Sequence, residues 1–333
     1  MPKIYGTLGP SCCDVETLCA MFDAGMTGVR LNLSHITLHD AAQEIENLHR
    51  AAGRCGISAD LLIDMQGPEL RIGALEAPIT LEEGQEVTLG AGGIPVPALT
   101  LPCFTPGQEL LLDDGKLLLT VLEGGKYRAR AKIVRGGVLS SRKSLALPGC
   151  SLHPPTLTEM DTENLSLAVS YGVTGVMQPF VRDRADLETV RSVLDRSGGK
   201  GIRLFAKIEN REGVRNLDEL LPFCDEIVIA RGDLGNAMPL WELPRVQKMI
   251  SRKCRDAGRD FMVVTQMLYT MEHSPIPTRA EVSDIFNAVC DGAASVMVTG
   301  ETAVGDYPVE SIRYLTKTAE EAAQFLKNTQ TIV

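Results

Sequence analysis

Six short polar runs each follow an apolar, β-forming stretch. They are Arg30-Leu31-Asn32-Leu33-Ser34-His35, Asp64-Met65-Gln66-Gly67-Pro68-Glu69-Leu70-Arg71, Lys207-Ile208-Glu209-Asn210, Arg231-Gly232-Asp233, Thr265-Gln266 and Thr299-Gly300-Glu301-Thr302. Singly, each has a bland explanation. A lone Asp or Ser after a strand is more often a helix cap than a catalyst, and Lys207 with Glu209 reads equally well as a solvated pair. Taken together they are harder to set aside. Core packing does not require arginines, a lysine and several carboxylates at one end of a fold, and burying them is costly without a metal or an anion to pair with. Glu209 and Asp233, on neighbouring strands, supply the hard oxygens that Mg²⁺ takes alongside water and substrate oxygens. Arg30, Arg71 and Lys207 suit a phosphate. Carboxylates with a metal, facing cations, make a phosphoryl-transfer or enolate-stabilising site.

The elements that must position these runs alternate. Strands are expected at Ile4 to Thr7, Gly28 to Asn32, Leu61 to Asp64, Gly175 to Gln178, Arg203 to Ile208, Glu226 to Ala230, Phe261 to Thr265 and Ser295 to Val298. Amphipathic helices are expected between them: Val15 to Phe22 closed by Gly25, Leu38 to Ala52 ended by Gly53, Thr162 to Ser170, Ala185 to Leu194, one near Leu217, Val246 to Ala257, Arg279 to Cys290 and Val309 to Leu326. Eight strand–helix units imply a parallel sheet, and nothing left over favours closure into a (β/α)8 TIM barrel. Chemistry in such barrels gathers where the strands end, at the C-terminal face. The rhythm breaks once. From Ile72 to Cys150 the chain is rich in Gly, Pro, Thr and Val, with turn signals at Glu83-Gly84, Gly92-Gly93, Pro106-Gly107, Asp114-Gly115, Gly124-Gly125 and Gly136-Gly137. This reads as a small all-β lid inserted after the third strand. The expected division is 1–71 barrel, 72–151 insert and 152–333 barrel.

Composition narrows the classes. The 333 residues are 44% hydrophobic and 23% charged, an ordinary globular mixture. A net charge of −10 makes the chain a poor general partner for nucleic acid or anionic lipid, without excluding an anionic substrate at a locally basic site. No apolar run is long enough to span a bilayer, and the N-terminus lacks a secretory pattern, so a cytoplasmic location is expected. The nine cysteines include no Cys-x-x-Cys pair and read as reduced thiols. His35 and His39 have helical metal-pair spacing but no further support.

At this point the residues resemble the pyruvate kinase family over almost the whole chain. Gly25 to His35 (GMTGVRLNLSH) is similar to its GMNVARLNFSH segment, and Asp64 to Arg71 (DMQGPELR) to DTKGPEIR. Ala206 to Gly213 (AKIENREG), Ala230 to Gly235 (ARGDLG), Thr265 to Leu268 (TQML), Pro277 to Asp284 (PTRAEVSD), Asn287 to Gly292 (NAVCDG) and Gly300 to Pro308 (GETAVGDYP) follow in the family's order.

The resemblance implies phosphoryl transfer from phosphoenolpyruvate to ADP, giving pyruvate and ATP. It implies that Glu209 and Asp233 hold Mg²⁺ or Mn²⁺, that Lys207 neutralises the transferring phosphoryl, and that Arg30 binds phosphate. Thr265 is then placed near the enolate carbon, and the backbone at Gly232 and Asp233 at the substrate carboxylate. Asn32, Ser34, Asp64 and the Met65 carbonyl become a K⁺ site, with Glu69 as found in K⁺-dependent members. His35 and Arg71 face the nucleotide, and Asp113 or Asp114 of the insert closes over the site. The expected partners are therefore these small molecules, with no nucleic acid and no membrane; a homo-oligomer is compatible.

The sequence departs from the family pattern mainly on the nucleotide side. Met160 and Gln66 stand where Lys is usual, Pro179 where Ser is usual, and His153-Pro154-Pro155 where Asp-Leu-Pro is usual. The family's further C-terminal domain, with its allosteric sugar-phosphate pocket, is not expected here. Two other readings use the same residues: a metal-dependent lyase, aldolase or oxaloacetate decarboxylase working through a pyruvate enolate, and a non-catalytic ligand-binding paralogue.

Overall fold

The computed structural model describes residues 1–34, 36–150 and 152–330. Among these residues fifteen strands run in chain order: β1 Lys3–Thr7, β2 Gly28–Asn32, β3 Asp60–Asp64, β4 Ile79–Leu81, β5 Glu86–Gly90, β6 Glu109–Leu112, β7 Leu117–Glu123, β8 Arg128–Arg135, β9 Gly137–Leu139, β10 Leu145–Ala146, β11 Gly175–Gln178, β12 Arg203–Ile208, β13 Glu226–Ala230, β14 Asp260–Val264 and β15 Ser295–Met297. Eight of them close a parallel barrel in the order β1-β15-β14-β13-β12-β11-β3-β2. The other seven pair antiparallel between residues 79 and 146, as a five-stranded sheet β10-β6-β7-β8-β5 and the ribbon β4-β9.

The barrel interior is filled, not open. Tyr5, Leu62, Met177, Phe205, Val228, Met262 and Met297 pack there, all at most 1% exposed. A second layer of Leu, Ile, Val and Ala joins the outer faces of the strands to the helices. Near-continuous apolar strands are what burial on both faces demands. The insert has its own core, built around Leu89, Leu110, Leu119, Val121, Ala131 and Ile133. Strand β8 alternates exposed and buried residues along most of its length, as a sheet with one wet face must.

The N-terminal end of the barrel is plugged by charge. Asp60 Oδ2 accepts from Lys3 Nζ (2.6 Å), Tyr5 Oη (2.7 Å) and Arg203 Nη2 (2.9 Å), while Ser295 Oγ donates to the buried Glu226. Burial pushes the Glu226 carboxyl up to about 7, with the Ser295 bond and the Arg203 charge opposing.

Several helix boundaries differ from the sequence reading by up to four residues, and two of the starts have a local cause. The helix expected from Leu38 begins instead at Ala42, because Asp40 Oδ2 accepts from the Thr37 amide and hydroxyl and holds a turn there. It runs through Gly53 to Cys55 and stops at Gly56, whose φ of 67° is the left-handed conformation glycine tolerates. The helix expected from Thr162 starts three residues earlier, at Glu159, where Thr158 and Asp161 form a reciprocal capping box.

Candidate active site at the barrel mouth

Parallel register brings the strand ends to one face. Asn32 lies opposite Asp64 across β2 and β3, and Lys207 opposite Val228 across β12 and β13. Asp64, the last residue of β3, accepts from Arg30 Nε at 2.8 Å and from Lys207 Nζ at 3.0 and 3.1 Å. Lys207 Nζ also lies 3.0 Å from Glu209 Oε1, and the other Glu209 oxygen accepts from the Phe180 amide at 2.8 Å. Lys207 and Glu209 are therefore not a solvated pair: their side chains are 12% and 2% exposed.

The electrostatics follow from this crowding. Burial alone would lift Asp64, but the Lys207 and Arg30 charges outweigh it and hold its carboxyl below the usual range. Burial alone would lower the Lys207 pKa, and the Asp64 and Glu209 charges reverse this and raise it, so the ammonium persists. Asp233 is pushed up to about 7, by burial first and then by the Glu209 charge, against Lys207. Among the described residues nothing donates a hydrogen bond to its carboxylate. Asp64, Glu209 and Asp233 gather around Lys207 and Arg30, three carboxylates to two cations, and the site is short of positive charge. That deficit suits a divalent cation completed by water and substrate oxygens. Among the described residues no three His, Cys, Asp or Glu side chains converge as a metal cage.

The short helix Arg231–Asn236 has no side-chain cap, which leaves its first-turn amides, those of Gly232 and Asp233 included, without a capping side chain. A Cβ on Gly232 would lie 3.1 Å from Thr265 Cγ2, so the two stand in contact. Thr265 and Gln266 have φ of 75° and 55°. A β-branched residue there is a true outlier, costing about 1–3 kcal/mol unless its surroundings impose it. Arg231 does so: Nη2 and Nε donate to the Thr265 carbonyl at 2.7 and 3.1 Å, and Nη1 is anchored on Asp284. The buried Glu301 carboxylate accepts from the Thr299 and Leu268 amides and stitches the last two strand-end loops together.

Of the oxygens read as a monovalent-cation set, Asn32 Oδ1 accepts from Ser34 Oγ at 2.8 Å and from the Ser34 amide at 3.2 Å. Asp64 lies beside Asn32, and Met65 follows it, buried. Arg71 turns its guanidinium onto Glu69 (2.7 and 3.0 Å) and donates to the Arg142 carbonyl of the insert at 2.9 Å. Asp113 faces Lys143 and Lys116, whereas Asp114 accepts from Ser144 Oγ at 2.7 Å and lines the cleft. His35 lies outside the described residues. His39 bonds Tyr171 Oη at 3.5 Å.

The insert reaches the barrel. Gly115, at φ 80°, lies so close to Asn236 that a Cβ would fall 2.7 Å from its Oδ1. Between them is a cleft of about 230 Å³, lined by Glu69, Asp114, Arg182, Glu209, Asp233 and Asn236 among others. Arg182 is locked onto Asp186 and the Pro154 carbonyl. Pro179 packs on Gly67, whose Cβ would meet Pro179 Cγ at 2.5 Å. Sequence reasoning missed Arg231 as the clamp on Thr265, the Phe180 amide on Glu209, and Asp161. Only Asp161 had a readable signal, the capping-box pattern Thr158-Glu159-Met160-Asp161.

The family model described as the pyruvate kinase barrel domain matches residues 1–312. This chain belongs to the pyruvate kinase family. It is 36% identical to the pyruvate kinase of Geobacillus stearothermophilus over 98% of its own length and 57% of that protein's. It is 37% identical to that of Aeropyrum pernix, over 96% and 70%, and 38% identical to that of Methylorubrum extorquens, over 96% and 68%. The chain thus spans little more than half of the first of these relatives. Among the described residues, no helix is long and apolar enough to cross a membrane.

Proposed function

We propose that this chain transfers the phosphoryl group of phosphoenolpyruvate to ADP, forming pyruvate and ATP. The reading rests on one observation above the others. Arg30, Asp64, Lys207 and Glu209 form a continuous, largely buried chain of opposite charges, and its Glu209 end lines, with Asp233, the cleft that the insert also lines. A simple stabilising network does not need two buried carboxylates short of counter-charge at a cleft.

Lys207 holds its ammonium against the phosphoryl oxygens as the bond to the enol oxygen breaks and the bond to the nucleotide forms. It is already desolvated and fixed by two carboxylates, so little reorganisation accompanies the transfer. Arg30, fixed by Asp64, binds the phosphate from the other side. The first-turn amides of Gly232 and Asp233 bind the substrate carboxylate. The Thr265 hydroxyl stands at the face where the enolate carbon gains its proton. Glu209 and Asp233 hold Mg²⁺ or Mn²⁺, which when bound neutralises charge on the phosphoryl and enolate oxygens. Asn32, Ser34, Asp64 and the Met65 carbonyl hold K⁺. Arg71, His35 and Asp114 bound the nucleotide side, and the insert, taken as 72–151 between barrel parts 1–71 and 152–333, excludes water. The same reading makes the protein cytoplasmic, with small-molecule partners, no nucleic acid or membrane, and room for a homo-oligomer.

Pyruvate release from phosphoenolpyruvate with ADP, Mg²⁺ and K⁺ tests it, beside a Lys207→Met control. Turnover abolished in the control is the expected result. Folded protein that binds Mg²⁺ yet turns over no nucleoside diphosphate would overturn the reading.

A further inference from the structure

The Asp161 carboxylate is completely buried and holds three backbone amides from two separate segments. Oδ1 accepts from the Gln66 amide at 2.9 Å; Oδ2 accepts from the Gly67 amide at 3.0 Å and from the Thr158 amide at 2.9 Å. The Thr158 bond belongs to the capping box of the helix Glu159–Leu167. The other two do not. They reach 94 and 95 residues back along the chain, to the loop that leaves β3.

The Gln66 amide and the Met65 carbonyl belong to one peptide plane. In a trans peptide the N–H and C=O point in opposite directions, and among the described residues no peptide bond is cis. Binding the Gln66 N–H therefore fixes where the Met65 carbonyl points. Among the described residues nothing donates a hydrogen bond to that carbonyl, although Met65 is buried. A buried acceptor without a donor is rare and costly. The plane turns about Met65 ψ and Gln66 φ, and the Asp161 bond is the one hydrogen bond made by either of its polar atoms among the described residues.

We infer that Asp161 is a positioning residue that aims the Met65 carbonyl at the monovalent cation. The inference rests on the K⁺ assignment made above. Asp161 itself touches neither cation nor substrate; it acts through the peptide plane. Asparagine is a poor replacement, because it offers one accepting oxygen. In either amide orientation its NH₂ group confronts the Gln66 N–H or the pair from Gly67 and Thr158.

The test compares K⁺-dependent stabilisation, read as the shift in melting temperature with KCl against tetramethylammonium chloride at equal ionic strength, with no substrate needed. Asp161→Ala and Asp161→Asn are measured beside Thr158→Ala, which removes the hydroxyl cap but leaves the Gln66 and Gly67 bonds. The expected result is a K⁺ midpoint raised about tenfold in the Asp161 variants, the size of one lost charge-assisted bond. Thr158→Ala should lower the melting temperature and leave the K⁺ midpoint alone. Should Asp161→Ala not fold, the near-isosteric Asp161→Asn carries the comparison. An unchanged midpoint in the Asp161 variants, or an equal rise in Thr158→Ala, overturns the inference while the K⁺ reading stands. A wild-type protein that responds equally to both salts overturns the K⁺ reading and the inference with it.

Discussion

Lys207 and Asp64 meet through both carboxylate oxygens, at 3.0 and 3.1 Å, with 12% and 2% of their side chains exposed. One end of the pair belongs to β12 and the other to β3, which are not neighbours in the barrel; β11 lies between them. The contact crosses the mouth, so it ties the site's charge balance to the closure of the barrel.

Asp64→Asn should therefore cost stability at neutral pH. It leaves the Arg30 and Lys207 cations without their shared anion, a loss of about 3–5 kcal/mol for a buried pair broken on one side. The sign with pH follows from the depressed carboxyl. A carboxylate held below its unfolded pKa contributes stability above that pKa and loses it as pH falls through the folded value. Urea unfolding from pH 7 downward should show the gap between wild type and Asp64→Asn narrowing on the acid side. A gap constant with pH would refute the linkage.

Glu226 should behave oppositely. Its carboxyl is raised to about 7. The stability it contributes is complete below the unfolded value of about 4.5 and is lost as pH rises through about 7. Glu226→Gln keeps an acceptor for Ser295 Oγ and removes the titration. Between pH 5 and 8 the wild type should lose ground relative to the variant, checked by denaturation midpoints at both values.

Glu209→Gln should weaken divalent-cation binding by about 10–100-fold, the size of one lost charge-assisted interaction. It also removes the second cause of the raised Asp233 carboxyl. Mn²⁺ titration by electron paramagnetic resonance reads the affinity without turnover. Affinity equal to wild type would remove Glu209 from the metal set.

Gly67→Ala should destabilise through two separable causes. The new Cβ would fall 2.5 Å from Pro179 Cγ, and φ is 59°. The backbone part is about 1 kcal/mol. Adding Pro179→Ser removes the clashing ring carbon and should recover the remainder, so a double-mutant cycle should show coupling. Additive effects would mean that the ring yields without cost.

The barrel was legible because its strands are short, apolar and separated by amphipathic stretches, a pattern that burial on both faces of a parallel sheet imposes. The insert was legible because its turns break that pattern with Gly and Pro. Helix starts were less so. Asp40 holds a turn with Thr37 that delays one helix, and Thr158 with Asp161 starts another early through a capping box whose pattern was readable, which moved two starts. At the site, residue types were readable and pairings were not. Nothing in Arg231-Gly232-Asp233 indicates that Arg231 turns away to clamp the Thr265 carbonyl while, among the described residues, the Asp233 carboxylate accepts no hydrogen bond.

By itself the sequence determined the βα alternation, the inserted all-β segment and the set of charged residues at the strand ends, because hydrophobic period and turn chemistry are local properties. Tertiary structure alone decided which charges touch. The Lys207–Asp64 contact spans 143 residues, and the Asp161 bonds that orient the Met65 peptide span 94 and 95. Such contacts depend on barrel closure and register. The positive φ at Phe180, Thr265 and Gln266 likewise had no local signal, since none is Gly or Asn. Those conformations exist because the surrounding fold imposes them.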